Sequence, residues 1–312
     1  MSIEVVVAPK LYDPVTKGLE AGFTVHPLWQ AKEPMAFLAP LKDRVRAFAS
    51  FTSYPISAAM MDALPKLEII STMSVGVDHI DLAAAKQRGI VVTNAPDVLT
   101  DCVADLGMGL VLAVARNMVV ADRFVRAGGW LKGVFPLATK VGGATMGIVG
   151  LGRIGKAVAR RAEGFGMKIA YFGRRRQDDV AYQFFDDLEA LARDSDYLML
   201  TCPGGAATRH LVDAKVIAAL GPEGMLINIA RGSVVDEAAL VAALVSGKLG
   251  GAGLDVYEDE PRVPEALVTL DNVVLLPHIA SATHATRAQM GQLMIDNLKA
   301  HFAGEKLITP VG

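Results

Sequence analysis

Four residues able to move protons or hold carboxylates sit just past short apolar runs in the second half of the chain. Arg231 follows Leu226–Ala230, Asp255 and then Glu260 follow Ala252–Leu254, and His278 follows Val273–Pro277. Open α/β sheets bind ligands at the carboxyl ends of their strands, so this placement puts an arginine, an acid pair and a histidine around one crevice. The set suits reduction of a 2-oxo acid. Hydride arriving at the carbonyl carbon leaves charge on its oxygen, and a proton must follow. Arginine holds a carboxylate and a carbonyl oxygen in one planar fork, which lysine cannot do. Histidine is the natural proton donor near neutral pH. A carboxylate on the far ring nitrogen favours imidazolium and fixes the ring, a role that suits Glu260. Each residue alone has a bland reading, an ion pair for Arg231 or an ordinary loop position for His278. The remaining histidines, His26, His79, His210, His284 and His301, lack the strand-end placement. Cys202, after Leu198–Thr201, reads as a packing or cofactor-edge residue, because no base is suggested beside it.

The hydride source is indicated by Gly150-Leu151-Gly152-Arg153-Ile154-Gly155. This glycine pattern alone is weak, but here Thr145–Val149 reads as a strand entering it. Ile154, Ala157, Val158, Ala162 and Phe165 recur at helical spacing beyond it, with Gly166 as a stop. Gly150 permits the tight turn, Gly152 lets backbone N–H groups approach a pyrophosphate, and Gly155 lets the helix pack closely on its strand. Where NAD-binding chains usually carry an acid, this one reads Gly173-Arg174-Arg175-Arg176. An acid there bonds the adenosine ribose and repels a phosphate; arginines attract one. The expected cofactor is therefore NADP(H) rather than NAD(H), with Arg174 and Arg175 as contacts and Arg176 facing solvent. Asp255 suits the nicotinamide carboxamide.

The elements that must position these groups come in two series of alternating strand and helix patterns, the form of parallel α/β structure. Strands are expected near 3–8, 23–27, 45–51, 67–72 and 90–94, then near 145–149, 167–172, 197–202, 225–230, 252–257 and 273–277. One long helical pattern, Asp101 to Arg126, joins them and has few polar positions around its first turns. It is either buried within the chain or the seam of a homodimer. The loop from Trp130 to Val141 is long enough to reach a neighbouring site.

Composition bounds the reading. The chain has 312 residues, enough for about two domains, with 52% hydrophobic and 21% charged residues and a net charge of -2. Such a balance argues against nucleic acid or an anionic membrane as partner. Cys102 and Cys202 are the only cysteines and form no metal-ligand spacing, which favours a reducing compartment. The apolar stretch Cys102 to Ala115 is too short to span a bilayer, and Ser2–Ala8 lacks the basic start and long apolar run of a signal peptide and reads as a first strand. A cytoplasmic protein is expected.

Together these segments resemble the D-isomer-specific 2-hydroxyacid dehydrogenase family over nearly the whole chain. The matching blocks are Ser74–Asp78, Asn94–Val98, Gly150–Gly155, Asn228–Gly232, Gly253–Val256 with Glu260-Pro261, and Pro277–Thr283. The resemblance implies two Rossmann-like domains with parallel sheets. These are a flavodoxin-like substrate domain of residues 1–98 and 284–312, completed by a last helix at about 285–302, and an NADP-binding domain of residues 99–283. It implies Arg231 as substrate clamp, His278 as acid/base and Glu260 as its partner, with the N–H groups of Val75 and Gly76 on the substrate carboxylate. Cofactor contacts are expected at Gly150, Leu151, Gly152, Arg153, Ile154, Gly155, Gly173, Arg174, Arg175, Cys202, Ile229, Ala230, Asp255, His278 and Ser281. A homodimer through the joining helix is implied as well. Within the family the chain looks most like the NADPH-dependent glyoxylate/hydroxypyruvate and hydroxyphenylpyruvate reductases, although Cys202-Pro203-Gly204-Gly205 departs from the commoner pattern. An aromatic 2-oxo acid is the alternative substrate. The alternative class is a dinucleotide-sensing binding protein, like the corepressors that share this fold, and the expected absence of disordered flanks disfavours it.

Overall fold

The computed structural model describes residues 2–52 and 54–311. Its internal contacts divide the chain into two units, residues up to Leu99 together with Ser281 onward, and Thr100–Ala280. The first unit begins with β1 (Glu4–Ala8), α1 (Asp13–Glu20), β2 (Thr24–Pro27), α2 (Pro34–Leu38) and β3 (Val45–Ser50). It continues with α3 (Ala58–Asp62), β4 (Ile69–Thr72), α4 (Leu82–Gln87) and β5 (Val91–Thr93). Its described strands form one parallel sheet in the order β2-β1-β3-β4-β5. Runs such as Val5–Ala8 and Ile69–Thr72 are buried on both faces, as a helix-covered parallel sheet requires.

The second unit opens with α5 (Thr100–Ala115) and α6 (Met118–Arg126), followed by β6 (Thr145–Val149), α7 (Arg153–Gly164), β7 (Lys168–Phe172), β8 (Gln183–Phe185) and α8 (Leu188–Arg193). Then come β9 (Tyr197–Leu200), α9 (Ala214–Leu220), β10 (Met225–Asn228), α10 (Glu237–Val245), β11 (Gly251–Leu254), α11 (Glu265–Val268) and β12 (Val273–Leu275). Its sheet is parallel, ordered β12-β11-β10-β9-β6-β7-β8. The order reverses between β6 and β9, which is where a doubly wound sheet opens its ligand crevice. The last helix, α12 (His284–Ala303), returns to the first unit and packs on α1 and β4.

Three expectations need correction. The single helix 101–126 is two helices that turn by 61°. Asn117 stands at the break in the left-handed region, φ 50°, which asparagine tolerates better than most residues. One face of α5 is buried inside its own unit, where a Cβ at Gly107 would come within 2.8 Å of Ile229 Cδ1, while Asp101, Asp105 and Gly109 on its other side are exposed. α6 has no buried residue. Second, β8 was not anticipated, because three residues with one exposed glutamine carry no readable alternation. Third, the chain leaves the second unit after Ala280 rather than after Thr283. Asp255 holds the N–H groups of Ile279 and Ala280, whereas Thr283 already caps α12 by accepting from Thr286 N–H. Among the described residues no single helix is long and apolar enough to cross a membrane.

Candidate active site

Asn228 ends β10 and is 1% exposed. Its Nδ2 donates to Arg231 O at 2.9 Å, and its Oδ1 accepts from Ala230 N–H at 3.0 Å. The turn through Ile229 and Ala230 is thereby closed on itself, and Arg231 is delivered just beyond the strand. A Cβ at Gly204 would come within 2.8 Å of Arg231 Cγ, so the unusual glycine pair leaves room for the arginine stem. On the other flank, a Cβ at Gly232 would fall into the Tyr257 backbone, and only glycine fits.

β11 runs into Asp255, which is wholly buried. Its Oδ1 accepts from Ile279 N–H at 2.7 Å, its Oδ2 accepts from Ala280 N–H at 2.9 Å, and its carbonyl accepts from His278 N–H at 2.8 Å. One carboxylate thus clamps the loop after β12, where His278 adopts φ 54°. Burial raises the Asp255 carboxyl above its usual range, and the two backbone donors and the charge of His278 offset this only in part. Asp255 has a positioning task that sequence reasoning did not assign. A nicotinamide contact would share oxygens already held by backbone.

His278 Nδ1 lies 2.7 Å from Glu260 Oε2, and Glu260 Oε1 accepts from Tyr257 N–H at 3.2 Å. Burial pushes the Glu260 carboxyl upward, but the hydrogen bond and charge of His278, the Tyr257 N–H and the charge of Arg231 outweigh it. The result is a value below the ordinary glutamate range. Glu260 is therefore a carboxylate at neutral pH, and Nε2 is the ring nitrogen of His278 left for a reacting atom. Tyr257 braces the loop by donating from Oη to Leu276 O at 3.0 Å. A pocket of about 280 Å³ adjoins the pair, lined by Tyr257, Glu260, Pro261, Val263 and Leu275–His278.

The glycine turn lies between β6 and α7. Gly150 takes φ 93°, with its Cβ direction blocked by Cys202 Cα at 2.8 Å, while around Gly152 there is open space. A Cβ at Gly155 would strike Gly150 O, which accepts instead from Thr201 Oγ1 at 2.6 Å. The twelve-residue α7 begins at Arg153, with its first N–H groups toward the opening. Leu151 is buried and Ile154 partly so. Past β7, Gln177 donates from Nε2 to Leu151 O at 2.7 Å and from its N–H to Tyr171 Oη at 2.7 Å. These bonds hold the Gly173–Arg176 loop beside the turn with Arg174 and Arg175 exposed. Gln177 gave no signal in the sequence. Cradle, helix terminus and exposed arginines fit a phosphorylated dinucleotide. Ile229 and Ala230 are buried after β10, and burial pushes the Cys202 thiol up to about 11, which disfavours the thiolate at neutral pH.

Val75 and Gly76 belong to the first unit, in the loop after β4, and Ser281 falls in that unit too.

Comparison with known proteins agrees with this chemistry. Residues 108–280 match the family model described as D-isomer specific 2-hydroxyacid dehydrogenase, NAD binding domain. The glyoxylate/hydroxypyruvate reductase A of Arabidopsis thaliana is 49% identical over 293 residues, 94% of each chain. The hydroxyphenylpyruvate reductase of Plectranthus scutellarioides is 50% identical over 293 residues, again 94% of each. Among solved structures, an NADPH-dependent glyoxylate/hydroxypyruvate reductase from Sinorhizobium meliloti, in complex with NADP and malonate, is 44% identical. It superposes with a TM-score of 0.95 over 100% of this chain and 97% of that one.

Proposed function

Because this chain belongs to the D-isomer specific 2-hydroxyacid dehydrogenase family, we propose that it reduces small 2-oxo acids, glyoxylate and hydroxypyruvate, to D-2-hydroxy acids with NADPH. The observation that carries the reading is the His278–Glu260 pair, with Nδ1 committed to the carboxylate and Nε2 free for a proton. A bound nicotinamide supplies the hydride. Gly150–Gly155 and the start of α7 hold its pyrophosphate, and Arg174 and Arg175 hold the 2′-phosphate. Arg231 grips the substrate carboxylate and carbonyl oxygen and keeps the reacting carbon in line. As charge grows on that oxygen, Arg231 stabilises it and His278 Nε2 delivers a proton. Glu260, bonded to Nδ1, keeps the ring oriented so that Nε2 faces the reacting oxygen. Val75 and Gly76 N–H groups receive the carboxylate; the family resemblance supports that role.

A panel of 2-oxo acids assayed with NADPH and NADH tests the reading. Turnover of glyoxylate and hydroxypyruvate with NADPH is the expected result, and no turnover of any 2-oxo acid overturns it. An aromatic 2-oxo acid is the second reading, favoured by the 50% identity to a hydroxyphenylpyruvate reductase. A cytoplasmic homodimer is part of the proposal. The proposed seam runs through the joining helices and extends to the segment after α6, where Leu131, Val134 and Leu137 are 90–98% exposed. A monomeric mass in solution would remove that part.

A further inference from the structure

A planar trans peptide points its N–H away from its C=O, so a bond that fixes one carbonyl also aims the next residue's N–H. The loop after β4 is held in this way at three successive carbonyls. Ser74 O accepts from Ala95 N–H at 2.8 Å, Val75 O accepts from Asn94 Nδ2 at 2.8 Å, and Gly76 O accepts from Ser74 Oγ at 2.7 Å. The first bond aims the N–H of Val75 and the second that of Gly76. Among the described residues neither N–H donates to a protein acceptor. Two donors are thus turned outward by partners on their far side.

The hydroxyls behind the loop run in one direction. Ser74 spends its proton on Gly76 O, so it accepts from Thr72 Oγ1 at 2.8 Å. Asn94 is itself held from the far end of the chain: its N–H donates to Thr309 O at 3.2 Å, and its carbonyl accepts from Thr309 Oγ1 at 2.6 Å. Asn297, wholly buried, accepts from the N–H groups of Ile308 and Thr309, each at 3.1 Å, and donates to Thr309 Oγ1 at 2.8 Å.

We infer that Asn94 is a positioning residue for the substrate carboxylate: its side-chain amide sets the Val75–Gly76 peptide plane and so aims and polarises the Gly76 N–H. This rests on the reading that Val75 and Gly76 receive that carboxylate. A carbonyl that accepts a hydrogen bond makes its own peptide N–H a stronger donor, so the effect is electronic as well as geometric. The carboxylate keeps its charge from ground state to transition state. Loss of Asn94 therefore weakens both alike, and the change falls on KM rather than on kcat.

Asn94→Ala is expected to raise KM for glyoxylate about tenfold with kcat within about threefold of the parent. The inhibition constant of malonate rises by a similar factor, and reduction of glycolaldehyde, which has no carboxylate, is unaffected. Thr309→Val leaves Asn94 in place but removes the hydroxyl half of its brace, and the same KM shift follows in smaller measure. NADPH titration by fluorescence shows that each variant is folded and loads normally. KM and malonate inhibition both within twofold of the parent in folded Asn94→Ala and Thr309→Val overturn the inference, as does a loss confined to kcat. If the parent itself reduces no 2-oxo acid, the underlying reading falls instead, so the two failures are distinct.

Discussion

The two places expected to touch substrate are built from different material. In the second unit, Arg231, Glu260 and His278 present side chains from loops after β10, β11 and β12. In the first, Val75 and Gly76 offer only backbone, aimed by Asn94 and Ala95 and braced by Thr309. The first kind of site is written in residue types. The second is written in which carbonyls are occupied, and a sequence does not list those. Under the proposed function, the side-chain centre carries the step in which charge changes, and the backbone site carries binding that is the same before and during reaction.

The sharpest break of that contrast is His278→Ala. It is expected to lower kcat by about 10²–10⁴ while leaving NADPH affinity nearly intact; single-turnover kinetics with a fluorescence titration checks both. A loss confined to KM would place His278 with the binding groups. Next in size is the cofactor choice. Arg174→Ala with Arg175→Ala is expected to reduce the NADPH over NADH preference by roughly tenfold to several hundredfold, measured as the ratio of kcat/KM values. An unchanged ratio would end the role proposed for Gly173–Arg175.

Gly232→Ala asks whether the side-chain centre also depends on backbone fit. A methyl group there meets the Tyr257 backbone, and the variant is expected to lose about 2 kcal/mol or more of stability by urea denaturation. Arg231 should be misplaced with it.

The smallest effect is on pH. Glu260 is held below its ordinary range of about 4.3, so its ionisation adds stability above that pH, and this contribution is lost as the pH falls through the lowered folded value. Asp255 is raised and has the opposite sign. Its contribution is present below the ordinary aspartate value and is lost as the pH rises through the raised one. Glu260→Gln should therefore narrow the gap between urea midpoints at pH 7 and pH 3.5. An unchanged gap would mean that folding does not favour the Glu260 carboxylate.

The strand ends were legible because a polar residue ending an apolar run must lie at the rim of a buried sheet. That rule placed Arg231, Asp255 and His278 correctly on the loops after β10, β11 and β12. It could not show that Asp255 spends both oxygens on Ile279 and Ala280, or that Asn228 closes the Arg231 turn, since a buried polar side chain takes whichever donors folding brings near. The joining helix misled for a related reason. Periodicity continued through Arg116-Asn117, and only the left-handed conformation of Asn117 separates a buried α5 from an exposed α6.

By itself the sequence determined the parallel α/β class, the dinucleotide turn with its arginine sequel, and which strand ends carry Arg231, Asp255 and His278. Each of these follows from local periodicity, from glycine where a Cβ cannot fit, or from the chemistry of one side chain. Tertiary structure alone decided which nitrogen of His278 meets Glu260, which residues hold the arginine loop beside the turn, and how Asn94, Asn297 and Thr309 converge on Val75 and Gly76. Those are pairings between groups far apart in the chain, and a hydrogen bond is satisfied by proximity in space, whatever the separation in sequence.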